Sequence, residues 1–462
     1  EGPETRNTYN MLKLTEQLFQ AAPDVRYADY YERALYNHIL STQHPETGGL
    51  VYFTPMRPGH YRVYSQPHTS FWCCVGSGME NHGKYGQFIY AHKEENLYVN
   101  LFIASRLDWK EKRVELVQQT RFPDQAGTVI TVSPEQSTTF TLQLRYPGWV
   151  PEGELEISVN GKPYPVSQRP GTFVPIRREW QAGDRVEVSF AMHTAVEQLP
   201  DSSNYYAFRY GPIVLAARTD TTSMDGLFAD DSRGGHIAHG PQVPLRDIPV
   251  VVGRPETLTA SLRPVKGKPL HFTMNRVYAP SFRGKMELMP FFRLHDSRYI
   301  LYWPQATREE VTALQRRMEA EERESRVLEE RTVDHVYAGQ QQPESDHAVA
   351  FEASVTGQYE GMQWREAKGW FSYRFINPEG TARALFIRYL NMDRPSVFDV
   401  LVNGQVLTTI RLDGRDGGNN PLSATYPLPD ELTDNGQLTV EFRAHDGSYT
   451  ARLTEVRILR EF

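Results

Sequence analysis

The spacing of apolar residues changes part-way along the chain. In the first hundred residues it is helical. Met11, Leu14 and Leu18 recur within Thr8–Gln20, with Leu12 and Phe19 widening the stripe. Tyr27, Tyr31, Leu35 and Ile39 do the same within Tyr27–Leu40. Both stretches are predicted to be amphipathic helices that turn those stripes inward. GGLVYFTPMRPGHYRVYSQPH, residues 48–68, reads as a loop with short extended pieces. A third helix is predicted to begin near Gly78 and to carry Tyr85, Phe88 and Ile89 inward.

Beyond residue 95 the period falls to two. Leu97, Val99, Leu101 and Ile103 alternate in NLYVNLFIAS. Val129 and Thr131 follow, then Phe140, Leu142 and Leu144. Asn160-Gly161 marks a hairpin turn. Residues 96–200 therefore read as an antiparallel β-sandwich. Residues 201–334 are mixed: strands in NYYAFRYGPIVLAA and FRLHDSRYILYW, a polar loop around SMDGLFADDSRGGH, and a charged helix opened by a capping box from Thr307 to Glu310. Few apolar residues lie on that helix (Val311, Leu314, Met318, Val327), so it reads as a solvated connection. Residues 335–462 return to strands, with a second hairpin turn at Asn403-Gly404, and read as a jelly-roll-like sandwich.

Composition narrows the classes. A net charge of −7 with no basic stripe argues against nucleic acid. No apolar run approaches the roughly 20 residues of a membrane-spanning helix. Aromatic residues make up 12 % of the chain, which suits sugar stacking and sandwich cores alike. The chain opens in mid-pattern, without Met and without a signal peptide, as a piece of something longer would. Three helices cannot enclose a core as a toroid does. Their stripes call for further sequence or for a partner chain.

The two cysteines, Cys73 and Cys74, are adjacent in SFWCCVGSGMENHGKYG. A disulfide between neighbours closes almost no loop and stabilises little. Three readings stay open: small buried hydrophobes, a reactive thiol, or part of a metal site. Gly76, Gly78 and Gly83 beside the pair favour chemistry.

Several runs together carry a resemblance: GPETRNTYNMLKLTEQLF, FWCCVGSGMENHGKYG, FIYAHKEENLYVNLFIASRLDWKEK, YYAFRYGPIVLAA, FRLHDSRYILYW and QQQPESDH. The chain resembles the C-terminal part of the β-L-arabinofuranosidases of glycoside hydrolase families 127 and 146, the latter more closely. The resemblance implies the end of an (α/α)6 catalytic barrel over residues 1–95, followed by β-sandwich domains. It implies a retaining hydrolase of terminal β-L-arabinofuranosides, acting on pectic arabinan or similar arabinose-containing polysaccharide, from a periplasmic or secreted parent protein. In such enzymes a zinc ion is held by one Glu and three Cys, one Cys being the nucleophile. Carried over by motif, Cys73 is the nucleophile and a zinc ligand, Cys74 a second ligand and Glu4 the carboxylate ligand. Tyr52 corresponds to a tyrosine near the nucleophile. Water or His68 could complete the zinc coordination, although His68 reads rather as a sugar-contacting or structural histidine. A metal-held thiolate would replace one of the two carboxylates that retaining enzymes ordinarily use.

Two departures stand out. The third cysteine of the family falls at Arg6, whose guanidinium cannot ligate zinc and repels it. The general acid lies upstream of Glu4 in the family and so outside this chain. Glu80 is a carboxylate near the pair; in the first turn of a helix it would complement the dipole. Asp346 and His347 are expected to make turn hydrogen bonds. His295 and Asp296, adjacent in a strand-like stretch, are expected to point to opposite faces. Trp364 and Trp370 are expected to pack in a core. The rival expectation for the whole chain is a non-catalytic carbohydrate-binding or scaffold fragment, with a separate chain supplying the rest of the barrel.

Overall fold

Helical periodicity is realised first along the chain. Helix α1 runs over Thr5–Ala21, and α2 over Val25–Ala34. A π-helical turn at Leu35–Ile39 and a 3-10 turn at Leu40–Thr42 continue α2. The computed structural model describes residues 2–232, 234–279, 286–359, 361–378, 380–390, 394–414, 421–433 and 436–461. The chain forms two compact units, Glu1–Glu319 and Ala320–Phe462.

Helix α1 is apolar on two faces. Tyr9, Leu12 and Phe19 pack with Ala28, Tyr31, Leu35, Ile39 and Phe88 in one buried cluster. Met11, Leu14 and Leu18, the stripe expected to face inward, are instead more than 40 % exposed. The spacing identifies an amphipathic helix but cannot rank two apolar faces; packing against α2 ranks them. Helix α3 spans Cys73–Asn81 and starts five residues earlier than the glycine pattern suggested. Both cysteines therefore lie inside its first turn. Phe88 and Ile89 are buried as expected, but in a turn beyond the helix.

Two sheets follow in the first unit. A four-stranded sheet orders Tyr90–Lys93, Asn96–Val99, Thr138–Tyr146 and Thr172–Trp180. A six-stranded sheet orders Ser105–Trp109, Val114–Gln119, Thr128–Pro134, Asp184–Phe190, Leu155–Val159 and Lys162–Tyr164. Their inner faces share a core that includes Phe140, Leu142, Leu144 and Trp180. The sandwich is not wholly antiparallel, because Asn96–Val99 runs parallel to Thr138–Tyr146. In strand Thr128–Pro134 the core face is Ile130 and Val132, not Val129 and Thr131. A Val-Ile-Thr-Val run is β-branched on both parities, so composition alone does not choose the face. The Asn160-Gly161 turn forms as expected, with φ of 52° and 75°.

The remainder of the first unit centres on a ten-stranded sheet around Tyr205–Tyr210 and Ile213–Asp220. FRLHDSRYILYW is not one strand. It divides into a 3-10 turn at Phe291–Arg293 and strands Arg298–Ile300 and Tyr302–Ala306, with His295-Asp296 in the loop between them. Helix α4, Val311–Arg331, follows the expected capping box: Glu310 Oε2 accepts from the Thr307 backbone N–H at 3.0 Å. Val311, Leu314 and Met318 are its buried residues, and Val327 is exposed.

The second unit is a nine-stranded, antiparallel, sandwich-like sheet in which Met362–Ile376, Gln437–Ala444 and Arg452–Leu459 are central. Phe371, Tyr373, Val400 and Phe442 are fully buried in its core. The Asn403-Gly404 turn is present with φ of 51° and 82°.

Candidate active site

The site is built where the N-termini of two helices meet a short extended segment. Pro3–Thr5 pairs with Phe53 and its neighbours: Glu4 bridges Phe53, the Thr5 N–H donates to Tyr52 O at 3.0 Å, and Thr54 N–H donates to Pro3 O at 3.1 Å. This pairing explains GPET. A Cβ on Gly2 would lie 2.0 Å from Thr54 O, so only glycine fits there. Glu4 caps α1, and its side chain is turned toward α3.

Helix α3 brings the thiols to the same carboxylate. Cys73 and Cys74 hold its first two positions, where unpaired backbone N–H groups concentrate partial positive charge. Glu4 Oε1 lies 3.7 Å from Cys73 Sγ and 3.4 Å from Cys74 Sγ. Cys73 Sγ is also 3.4 Å from the Tyr52 hydroxyl. Cys73 is exposed and Cys74 fully buried. Burial pushes the Cys74 thiol up to about 12, with the Glu4 charge adding to it. Burial and the bond to Cys73 likewise raise the Tyr52 phenol. Gly78 is needed at the back of the helix: a Cβ there would lie 2.7 Å from Leu50 Cδ1.

Glu4, Cys73 and Cys74 place their ligand atoms within 4.8 Å of one another, and they are a metal-binding candidate group among the described residues. The set does not fit a four-coordinate zinc site as it stands. It offers three donors, and the same Glu4 Oε1 that faces both thiols is ion-paired with Arg6 Nε at 2.9 Å.

Aromatic rings line the opening. His236 packs against Tyr52 with its ring tilted by 31° and 4.5 Å between centroids, and meets Trp72 at 5.4 Å and Phe53 at 5.7 Å. Phe71, next to Trp72 in the sequence, is 85 % exposed. His236 comes from the polar loop that the sequence marked only as a connection. That loop is fixed by backbone bonds between Tyr64 and both Leu227 and Ala229, at 2.9 and 2.8 Å, and by Gly240 N–H to Tyr61 Oη at 2.7 Å. No local signal in the sequence marked His236, because its placement depends on pairing 160 residues away.

Other candidates stand elsewhere. His68 is exposed on a turn with φ 72° and is not in the Glu4 group. Glu80 lies in the last turn of α3, not the first, so it does not complement the dipole; it pairs with Lys84 at 2.7 Å. His295 and Asp296 do not split across a strand. His295 Nδ1 meets the Tyr64 hydroxyl at 2.8 Å, and Asp296 meets His44 Nε2 at 3.0 Å. Asp346 and His347 close a short helix, Gln341–Asp346, rather than a turn: Asp346 accepts from Gln342 at 2.9 Å, His347 Nδ1 meets Pro343 O at 2.7 Å, and His347 Nε2 pairs with Asp334 at 3.1 Å. Trp364 and Trp370 are half-buried, the former under Arg452.

Sequence models of known families match the chain in four blocks. The β-L-arabinofuranosidase GH127 catalytic domain matches residues 1–87, and the GH127 middle domain matches 96–192. The chain is a GH127 β-L-arabinofuranosidase-like protein. A domain of unknown function matches residues 195–305, and a family of unknown function matches 327–459. Among solved structures, a GH127 β-L-arabinofuranosidase from Geobacillus stearothermophilus T6 is 20 % identical with a TM-score of 0.50 over 66 % of this chain and 50 % of that one. A second GH127 β-arabinofuranosidase is 21 % identical with a TM-score of 0.50 over 66 % and 49 %. This GH127-like chain thus spans about half the length of those relatives, and the likeness shows the fold. A sequence comparison with curated proteins finds no match. None of the described helices is long and apolar enough to cross a membrane.

Proposed function

We propose that this chain carries the nucleophile side of a retaining glycoside hydrolase site for terminal β-L-arabinofuranosyl residues of plant polysaccharide such as pectic arabinan. The observation that carries this reading is the exposed Cys73 thiol between Glu4 and Tyr52, within the segment matched by the GH127 catalytic domain. Cys73 Sγ, as thiolate, would form a bond to the anomeric carbon as the bond to the leaving oxygen breaks, that oxygen taking its proton from the general acid that the resemblance places upstream of Glu4. Water would then cleave the sulfur–carbon bond, and two inversions retain the configuration. Glu4 faces the thiol proton. Tyr52, Trp72 and His236 offer ring faces for a furanose, and His68 is close in sequence to this edge. The zinc ion that the resemblance implies would need Glu4, Cys73 and Cys74 together, and the Arg6 pair on Glu4 counts against it.

The exposed Met11, Leu14 and Leu18 stripe supports an (α/α)6 barrel whose further helices cover α1, whether they come from flanking sequence or from a separate chain. With Cys73 and Phe71 open to water, the 462 residues alone are expected to turn over an aryl β-L-arabinofuranoside slowly or not at all. A polysaccharide substrate would be met in the periplasm or outside the cell, and that is the location this reading proposes for the parent protein.

The test is labelling with an electrophilic β-L-arabinofuranose analogue, read by peptide mass spectrometry. Modification of Cys73 by the L-configured reagent in preference to its D-configured counterpart supports the reading. Equal labelling by both, or labelling at another residue, sinks it.

A further inference from the structure

We infer that the Arg6 guanidinium takes the electrostatic place of a metal cation in the Glu4–Cys73–Cys74 cluster, so that this chain holds the cluster together without a divalent ion. The donor spacing invites a metal. Zinc bound by sulfur and oxygen at about 2.0–2.3 Å brings tetrahedral donors to roughly 3.5 Å of one another, and the two thiols stand 3.7 and 3.4 Å from Glu4 Oε1. Yet that oxygen also accepts from Arg6 Nε at 2.9 Å. An ion bound to Glu4 and the two sulfurs would sit next to a permanently charged guanidinium that cannot serve as a ligand.

The position of Arg6 strengthens the argument. It is the second residue of α1, where a cation opposes the helix dipole and gains nothing from the helix itself. Its favourable partner is Glu4, whose side chain is only 14 % exposed. One fixed positive charge therefore balances the one carboxylate of the cluster through an ion pair, and because that charge belongs to the chain itself it is present at any metal concentration. The inference rests on this geometry and not on the proposed hydrolysis, so either can fail alone.

The test is zinc binding by the intact chain, measured by competition with a chromophoric chelator. Cobalt(II)–thiolate absorption serves as a second readout, and circular dichroism checks the fold of each variant. The wild type is expected to hold substoichiometric zinc. Arg6→Cys should bind one zinc per chain, tighter by roughly 100-fold or more, at or beyond the limit for losing a merely supporting contact. Adding Cys74→Ser to that variant should abolish the gain. Stoichiometric zinc in the wild type, lost on Cys74→Ser, would overturn the inference. So would a folded Arg6→Cys chain that binds no better than wild type, because Arg6 would then not be what excludes the ion.

Discussion

Replacing Arg145 by methionine should uncouple the helical segment from the sandwich. Arg145 is fully buried in strand Thr138–Tyr146. It donates to Asp29 Oδ1 at 2.9 Å and to the fully buried Glu32, both on α2. Trp149 Nε1 donates to Glu32 at 2.8 Å, and Gly148 N–H donates to Asp29 at 2.8 Å. Methionine keeps the volume but strands two carboxylates. The neutral donors remain, and the cation is lost. Breaking a buried pair by removing one partner costs about 3–5 kcal/mol, or roughly a thousandfold in the unfolding equilibrium. Burial already pushes the Asp29 carboxyl up against the pull of Arg145, so the variant should take up a proton there more readily. Both cysteines lie in the first unit, and in a Cys73→Ser background the buried Cys74 is its sole thiol. A brief pulse of thiol reagent across a urea series then reports unfolding of that unit alone. Adding Glu32→Gln should return a large part of the loss, as coupled neighbours do. A loss below about 1 kcal/mol, or strict additivity with Glu32→Gln, would refute the reasoning.

Three further outcomes are expected. Burial and the nearby Arg62 hold the His38 imidazole down to about 4, so the fold favours its neutral form; stability present above about 6.5 should fall as the pH drops toward 4, by up to about 3 kcal/mol, and His38→Asn should flatten that slope in urea titrations. Gly78→Ala should drive a methyl into Leu50 and cost about 1–3 kcal/mol, with Leu50→Val recovering part; a thermal melt that does not move would show that α3 can shift freely. Glu344→Gln should destabilise the second unit by about 3–5 kcal/mol, because Glu344 accepts from Arg365 Nε and Nη2, each at 2.7 Å, and from the Tyr373 hydroxyl; hydrogen exchange in Met362–Ile376 checks it, and unchanged protection would contradict it.

Local chemistry was legible in the chain itself. Asn160-Gly161 and Asn403-Gly404 declared their turns, because few other residue pairs take two positive φ angles in succession. Thr307 and Glu310 declared the start of α4, because a capping box is contained within four residues. The change of period from helical to alternating announced the strands, the first of which, Tyr90–Lys93, begins before residue 95, and the family resemblance carried by the GPET and Cys-Cys motifs named the residues that meet.

What the pattern could not supply was any choice that depends on a partner distant in sequence. Helix α1 carries two apolar faces, and only α2 and Phe88 decide which is buried. Ile130 and Val132 win over Val129 and Thr131 because the register with Asp184–Phe190 sets the parity. His236 joins the site through backbone bonds from its loop to Tyr61 and Tyr64. Arg6 was readable as a residue that does not ligate metal, but its pairing with the very oxygen that faces both thiols is a fact of three dimensions. Sequence fixes propensity and donor type over a few residues. Relative placement is decided by burial and pairing across the fold, and so is the electrostatics of a shared atom.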